Sequence, residues 1–232
     1  MRRVFAGVAL GFFLLVCASG PASAQEDRPV SYNFLDGIPL EMGNPGGSAP
    51  GSNDRTCKPS ADHPNPVVLV HGTGGNRQNN WGAYAALSAN EDYCVFASTH
   101  GTFGYRSRPI SAMGGMMPIG QSAEQLRDFV VDKYVSPVPL WNGTNAFDVH
   151  APQATYTNMM TRYDELIVPH TSGLLEAPNA TDIVVQDGCA ANFGEHAAIA
   201  AEPVAAAYVM NAWDRNRPRP APCVFVAPIA GG

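Results

Sequence analysis

The run Pro66-Val67-Val68-Leu69-Val70 ends abruptly in His71-Gly72-Thr73-Gly74-Gly75. An unbroken apolar stretch has no wet face, so a strand made of it must be covered on both sides. That requirement selects a parallel strand inside an α/β layer structure over an antiparallel strand with one solvated face. The glycines that follow predict a loop presenting backbone N–H groups.

The rest of the chain alternates in the same way. Trp81, Tyr84 and Leu87 in "NWGAYAALSAN" recur at helical spacing, and "YCVFAST" (93–99) reads as the next strand. "GQSAEQLRDFVVDKYV" predicts a helix with Ser122 as N-cap and Gln125 closing a capping box. Its apolar stripe is Leu126, Phe129, Val130 and Tyr134. "ATYTNMMT" and "ATDIVVQDG" read as strands, and "AAIAAEPVAAAYVMNAW" as a helix that breaks or starts at Pro203. The tail holds one short apolar strand candidate. Residues 25–64 are rich in Gly, Pro and Ser and read as an extended arm, while 135–153 show no period and read as loop. Strands alternating with helices predict a single α/β domain over 25–232 with a mostly parallel sheet and helices on both faces.

The first 24 residues carry a secretory signal pattern: Arg2 and Arg3, an apolar run from Val4 to Val16, and Ala22-Ser23-Ala24 as the cleavage site. The run is too short to span a bilayer, and no other segment reaches that length, so no transmembrane segment is expected. Losing the two leader arginines takes the formal net charge from −6 to −8, and nothing basic is concentrated enough to suggest nucleic acid. Cys57, Cys94, Cys189 and Cys223 remain, an even count that suggests disulfides in an exported chain. Three connectivities are possible; Cys57–Cys94 with Cys189–Cys223 is favoured because each closes a loop within one half of the chain. No C-x-x-C or H-x-x-x-H spacing points to a metal site.

Several blocks, in order, carry a family resemblance: "YNFLDGIPLEMGNPGGSAPGSND", "CKPSADHPNPVVLVHGTGGN", "PIGQSAEQLRDFV", "YTNMMTRYDELIVPHTSGLL" and "EHAAIAAEPVAAAYVMNA". Together they resemble the secreted bacterial class 2 lipases of the α/β-hydrolase fold. The resemblance implies hydrolysis of carboxylic esters of lipids or small esters, without a metal or organic cofactor. It also implies an oxyanion loop at Gly72 and Thr73, a triad acid at Asp164 and a triad base at His196. The residues agree independently: a hydrolytic histidine needs a carboxylate to fix its tautomer, and acid before histidine is the α/β-hydrolase order. Taken alone, Asp164 would pair with Arg162 on the surface and His196 would cap a helix. His63, His100, His150 and His170 read as loop residues.

The nucleophile is missing. No serine of the chain sits in G-x-S-x-G; the nearest, Gly120-Gln121-Ser122-Ala123-Glu124, ends in Glu, and Ser172 has no better context. A nucleophile strand, its helix and a further strand need at least ~30 residues, whereas 135–153 offers 19. The expectation is therefore an α/β-hydrolase-like chain whose central strands are absent, so that the flanking strands either pair directly or leave apolar edges exposed. Its rivals are a non-catalytic acyl-chain or lipid-binding protein, an internally deleted gene product without function, and a hydrolase using Ser122 or Ser172.

Overall fold

The computed structural model describes residues 26–104, 112–134 and 154–229. The expected leader (1–24), the 135–153 segment with His150, and Tyr105–Ser111 lie outside the described residues. Along the described chain run α1 (Gly37–Gly43), β1 (Val67–Val70), α2 (Gly82–Asn90), β2 (Val95–Ser98), α3 (Ile119–Tyr134), β3 (Tyr156–Met160), β4 (Ala180–Val184), α4 (Val185–Gly188) and α5 (Pro203–Trp213).

The strands are parallel and mixed with helices, but they form two pairs rather than one sheet. β1 pairs with β2 from Val67↔Val95 to Val70↔Ser98, and β3 pairs with β4 from Tyr156↔Ala180 to Met160↔Val184. The Val67 amide donates to the Cys94 carbonyl (2.8 Å), so Val67 and Leu69 turn their backbone groups towards β2. Val68 and Val70, alternating with them, turn theirs the other way, where no strand lies among the described residues. An open groove of about 440 Å³ runs along this edge. Val68, Leu69 and Val70 line it from β1 and Met159 from β3, together with Trp81 and Trp213. The other edge, that of β2, is covered. Asn53 donates its amide to the Val95 carbonyl (2.8 Å), and its side chain exchanges two hydrogen bonds of 3.1 Å with the Ala97 backbone. The N-terminal arm thus blunts an edge that would otherwise template pairing.

Two small cores flank the groove. Val67, Leu69, Val95 and Ala97 pack with Tyr84 and Ala85 of α2 and with Ala206 of α5. Val185, Cys189 and Val226 pack with Val204 and Ala205 of the same α5. This helix therefore belongs to both halves. Its alanines let strands approach closely and favour helix. Its start is fixed by Glu202, which is 1 % exposed and accepts from the Val204 and Ala205 amides at 2.6 Å, with Pro203 as the first helical residue. Burial pushes the Glu202 carboxyl above its ordinary range, against the hydrogen bonds that favour its charged form.

Three local expectations need correction. The α3 helix starts at Ile119, so the Ser122 amide already donates to the Pro118 carbonyl (3.1 Å) and Ser122 is no N-cap. Proline has no amide to lose at a helix start, which puts the first turn there. Gln125 accepts instead from the Gly101 amide (2.7 Å), not from Ser122. Its apolar stripe is only half covered: Leu126, Phe129 and Val130 are partly exposed. The arm is not wholly extended, since α1 and the 3₁₀ turn Phe34–Asp36 interrupt it. The tail strand candidate forms no extended strand among the described residues, and its Val226 bridges to Asn192.

The disulfides join Cys57 to Cys94 and Cys189 to Cys223, closing loops of 37 and 34 residues. In the chain-entropy account each contributes about 4 kcal/mol. One anchors the arm beside β2 and the other pins the C-terminal tail to the loop after α4. Among the described residues no helix is long and apolar enough to cross a membrane.

Glu202→Ala is expected to lower the unfolding free energy by about 2 kcal/mol, because two buried amides lose their capping acceptor. Urea denaturation followed by circular dichroism checks this; an unchanged midpoint contradicts the capping role.

Candidate functional site

β3 and β4 end side by side, and the loops leaving their C-terminal ends carry the acid and the base. This rim is where open α/β sheets place ligands. Asp164 lies four residues beyond β3 in a turn of its own making: its Oδ1 accepts from the Leu166 (3.0 Å) and Ile167 (2.8 Å) amides. His196 follows α4. Its Nδ1 lies 3.0 Å from Asp164 Oδ2 and 3.1 Å from Oδ1. The Asp164 side chain is 12 % exposed and that of His196 42 %. A carboxylate on Nδ1 holds the neutral ring with its proton there, leaving Nε2 as the free base.

Burial raises the Asp164 carboxyl, but the Ile167 amide, the His196 ring and the Leu166 amide outweigh it and hold the group below its ordinary value. Asp164 is therefore an anion at neutral pH. Two more acids surround the pair. Glu165 accepts from the His196 amide (3.4 Å), and Glu195 accepts from the Ala197 amide (3.1 Å). Burial pushes the Glu195 carboxyl up, and the neighbouring Glu165 adds to this. Neither bland alternative holds: Arg162 pairs with Asp187, and His196 caps no helix.

What aligns the two loops is a side chain that sequence reading passed over. Gln186, in α4 and 5 % exposed, accepts from the Arg162 amide (2.9 Å) and donates to Thr161 Oγ1 (2.9 Å) and the Asn192 carbonyl (3.3 Å). Thr161 in turn donates to the Gly194 carbonyl (2.5 Å). One buried amide thus ties the residues just before Asp164 to those just before His196. The only signal for it in the sequence is a glutamine directly after an apolar strand.

Gly72 and Thr73 lie on the other half, at the end of β1, both exposed. The Thr73 amide makes no hydrogen bond within the described residues. The loop is shaped by Gly114 and Gly115. Gly74 donates to Gly114 (2.8 Å), and Gly114 donates back to Gly75 (2.7 Å). Gly115 has φ +65°, and a Cβ there would lie 2.8 Å from the Gly72 carbonyl oxygen.

The remaining candidates stay apart. Ser122 Oγ bonds the Met117 carbonyl (3.3 Å), and Ser172 lies in the 3₁₀ turn His170–Gly173. Neither hydroxyl bonds His196 among the described residues. No group of three or more His, Cys, Asp or Glu able to hold a metal occurs among those residues. His63 stacks on Tyr93 with ring centroids 3.8 Å apart.

A scan against protein-family models finds no match, and a search of curated proteins finds none either.

Gln186→Ala removes three buried hydrogen bonds and is expected to cost about 2–3 kcal/mol. It should also separate Asp164 from His196. The His196 Nδ1 proton, read by NMR in its hydrogen-bonded low-field position, should exchange faster in the variant. An unchanged resonance would show that Gln186 does not position the pair.

Proposed function

We propose that this chain is a secreted carboxylic-ester-hydrolase-type protein that keeps the acid, the base and one oxyanion donor but lacks the nucleophile. The observation carrying this reading is the hydrogen bond between Asp164 and His196 at the C-terminal rim of parallel strands. In a complete relative a serine attacks the ester carbonyl, His196 takes its proton and returns it to the leaving alcohol, and Asp164 stabilises the imidazolium. The Thr73 amide would hold the oxyanion. Here those three groups have no serine to serve, and the second oxyanion donor, which follows the nucleophile in the chain, is lost with it. Both disulfides fit export.

The surface beside the pair supports lipid esters as the substrate class. Leu166 and Val168 are 67 % and 73 % exposed. Tyr163, Phe193 and Phe225 follow one another at 5.5 and 6.0 Å between ring centroids. Apolar groups exposed close to the pair along the chain suit an apolar ligand.

A second reading is favoured by the groove along β1. Its apolar lining and its volume of about 440 Å³ suit an acyl chain held without turnover.

Treating the purified protein with a fluorophosphonate probe and a short-chain nitrophenyl ester separates the readings. The expected result is no covalent labelling and hydrolysis at the rate of a His196→Ala variant. Labelling that disappears in His196→Ala would overturn the proposal by revealing a working nucleophile. A saturable change in Trp81 and Trp213 fluorescence on adding a fatty acid would favour acyl binding.

A further inference from the structure

His71 stands directly before the Gly72–Gly75 loop, and its ring is held at both nitrogens. Nδ1 lies 2.8 Å from the Gly72 carbonyl oxygen, which can only accept, so Nδ1 carries the proton. Nε2 is therefore bare, and it accepts from the His100 amide at 3.1 Å. The ring is 4 % exposed as a residue and lies face to face with the His100 ring, centroids 4.1 Å apart and planes tilted by 23°. On one side it presses against Gly114, where a Cβ would meet His71 Cε1 at 2.2 Å and Nε2 at 2.6 Å. No room is left there for water to take over a partner.

These contacts close a circuit. The His100 amide binds His71, the His100 carbonyl accepts from Gly115 (2.8 Å), and Gly114 exchanges hydrogen bonds with Gly74 and Gly75. The loop bearing Thr73 is held by this circuit. We propose that neutral His71 is a positioning residue that locks the Gly72–Gly75 loop, and that its protonation releases the loop. A second ring proton on Nε2 would point at the His100 N–H, turning a hydrogen bond into a clash of two donors. It would also place a charge under the stacked His100 ring.

Groups from each packed element face His71. His100, from the end of β2, is the titratable one. The Gly114–Gly115 turn brings only backbone, and the loop itself brings the Gly72 carbonyl. Among the described residues no carboxylate acts on the ring to favour its cation. Burial, then the His100 charge, lowers the His71 pKa below its ordinary value, against the Gly72 bond; burial lowers His100 too. A histidine that stays neutral when folded loses nothing above the ordinary imidazole range and is destabilised below it, where the open state takes up the proton. The release is therefore expected as pH falls below ~6.5. The inference does not depend on whether the Asp164–His196 pair ever serves a nucleophile.

Amide hydrogen exchange, corrected for the intrinsic effect of pH, tests it on the intact secreted chain. Protection of the Gly74, Gly114 and Gly115 amides should be constant from pH 8 to 7 and fall roughly tenfold per unit below ~6.5. Asp164 loop amides should not follow that slope. His71→Gln offers one donor and one acceptor without a titrating ring and should keep the loop protected at every pH. His100→Gln retains the backbone amide and should keep the transition. Should His71→Gln fail to fold, ¹⁵N shifts of the wild-type imidazole decide: Nδ1-protonated at pH 7.5, with the three amides titrating in step. An Nε2-protonated ring, a flat wild-type profile, or a transition lost in His100→Gln would each overturn the lock.

Discussion

The buried carboxylate of Glu202 sets where α5 begins, and α5 is the element that belongs to both cores. Ala206 packs into the β1–β2 half, while Val204 and Ala205 pack into the β3–β4 half. No strand of one pair bonds a strand of the other among the described residues, so side chains across this helix do the joining. A carboxyl with 1 % exposure is expensive to bury unless it is used, and the Val204 and Ala205 amides both bond it. Tyr84 adds a second tie, donating its buried hydroxyl to the Ile199 carbonyl (3.2 Å).

That division organises the candidate site. Asp164 and His196 sit on one half and are aligned by Gln186 within it. Gly72 and Thr73 sit on the other and are aligned by His71 and the Gly114–Gly115 turn. Each part is locally well determined. The groove along β1 lies where a strand between the two pairs would bond, and the proposed reading places the missing nucleophile strand there.

Much of this was legible in the sequence, for reasons that are local. β1 and β2 are apolar runs, α2 shows Trp81, Tyr84 and Leu87 at helical spacing, α5 is an alanine-rich run marked by Pro203, and the favoured cysteine pairing, each within one half of the chain, is the one found. Where the sequence misled, competing local signals were at work. Ser122 with Gln125 looked like a capping box, but Pro118 was the better helix start. The short α1 carries Gly and Pro, which reads as loop. The split into two sheets could not be read from periodicity, because a strand's partner lies far along the chain. For the same reason the Gln186 bridge, spanning 24 residues, and the His71–His100 contact, spanning 29, left no pattern to find. Asp164 and His196 were singled out by resemblance and by their positions after strands, not by any period.

The central claim is that β1 has an open edge among the described residues, the place where the proposed reading puts a missing nucleophile strand. Residue-resolved amide exchange along β1 tests it directly. Val67 and Leu69 face β2 and should exchange slowly, whereas Val68 and Val70 face the groove and should exchange far faster. Equal, strong protection of all four amides would show that another strand occupies the edge and would contradict the account.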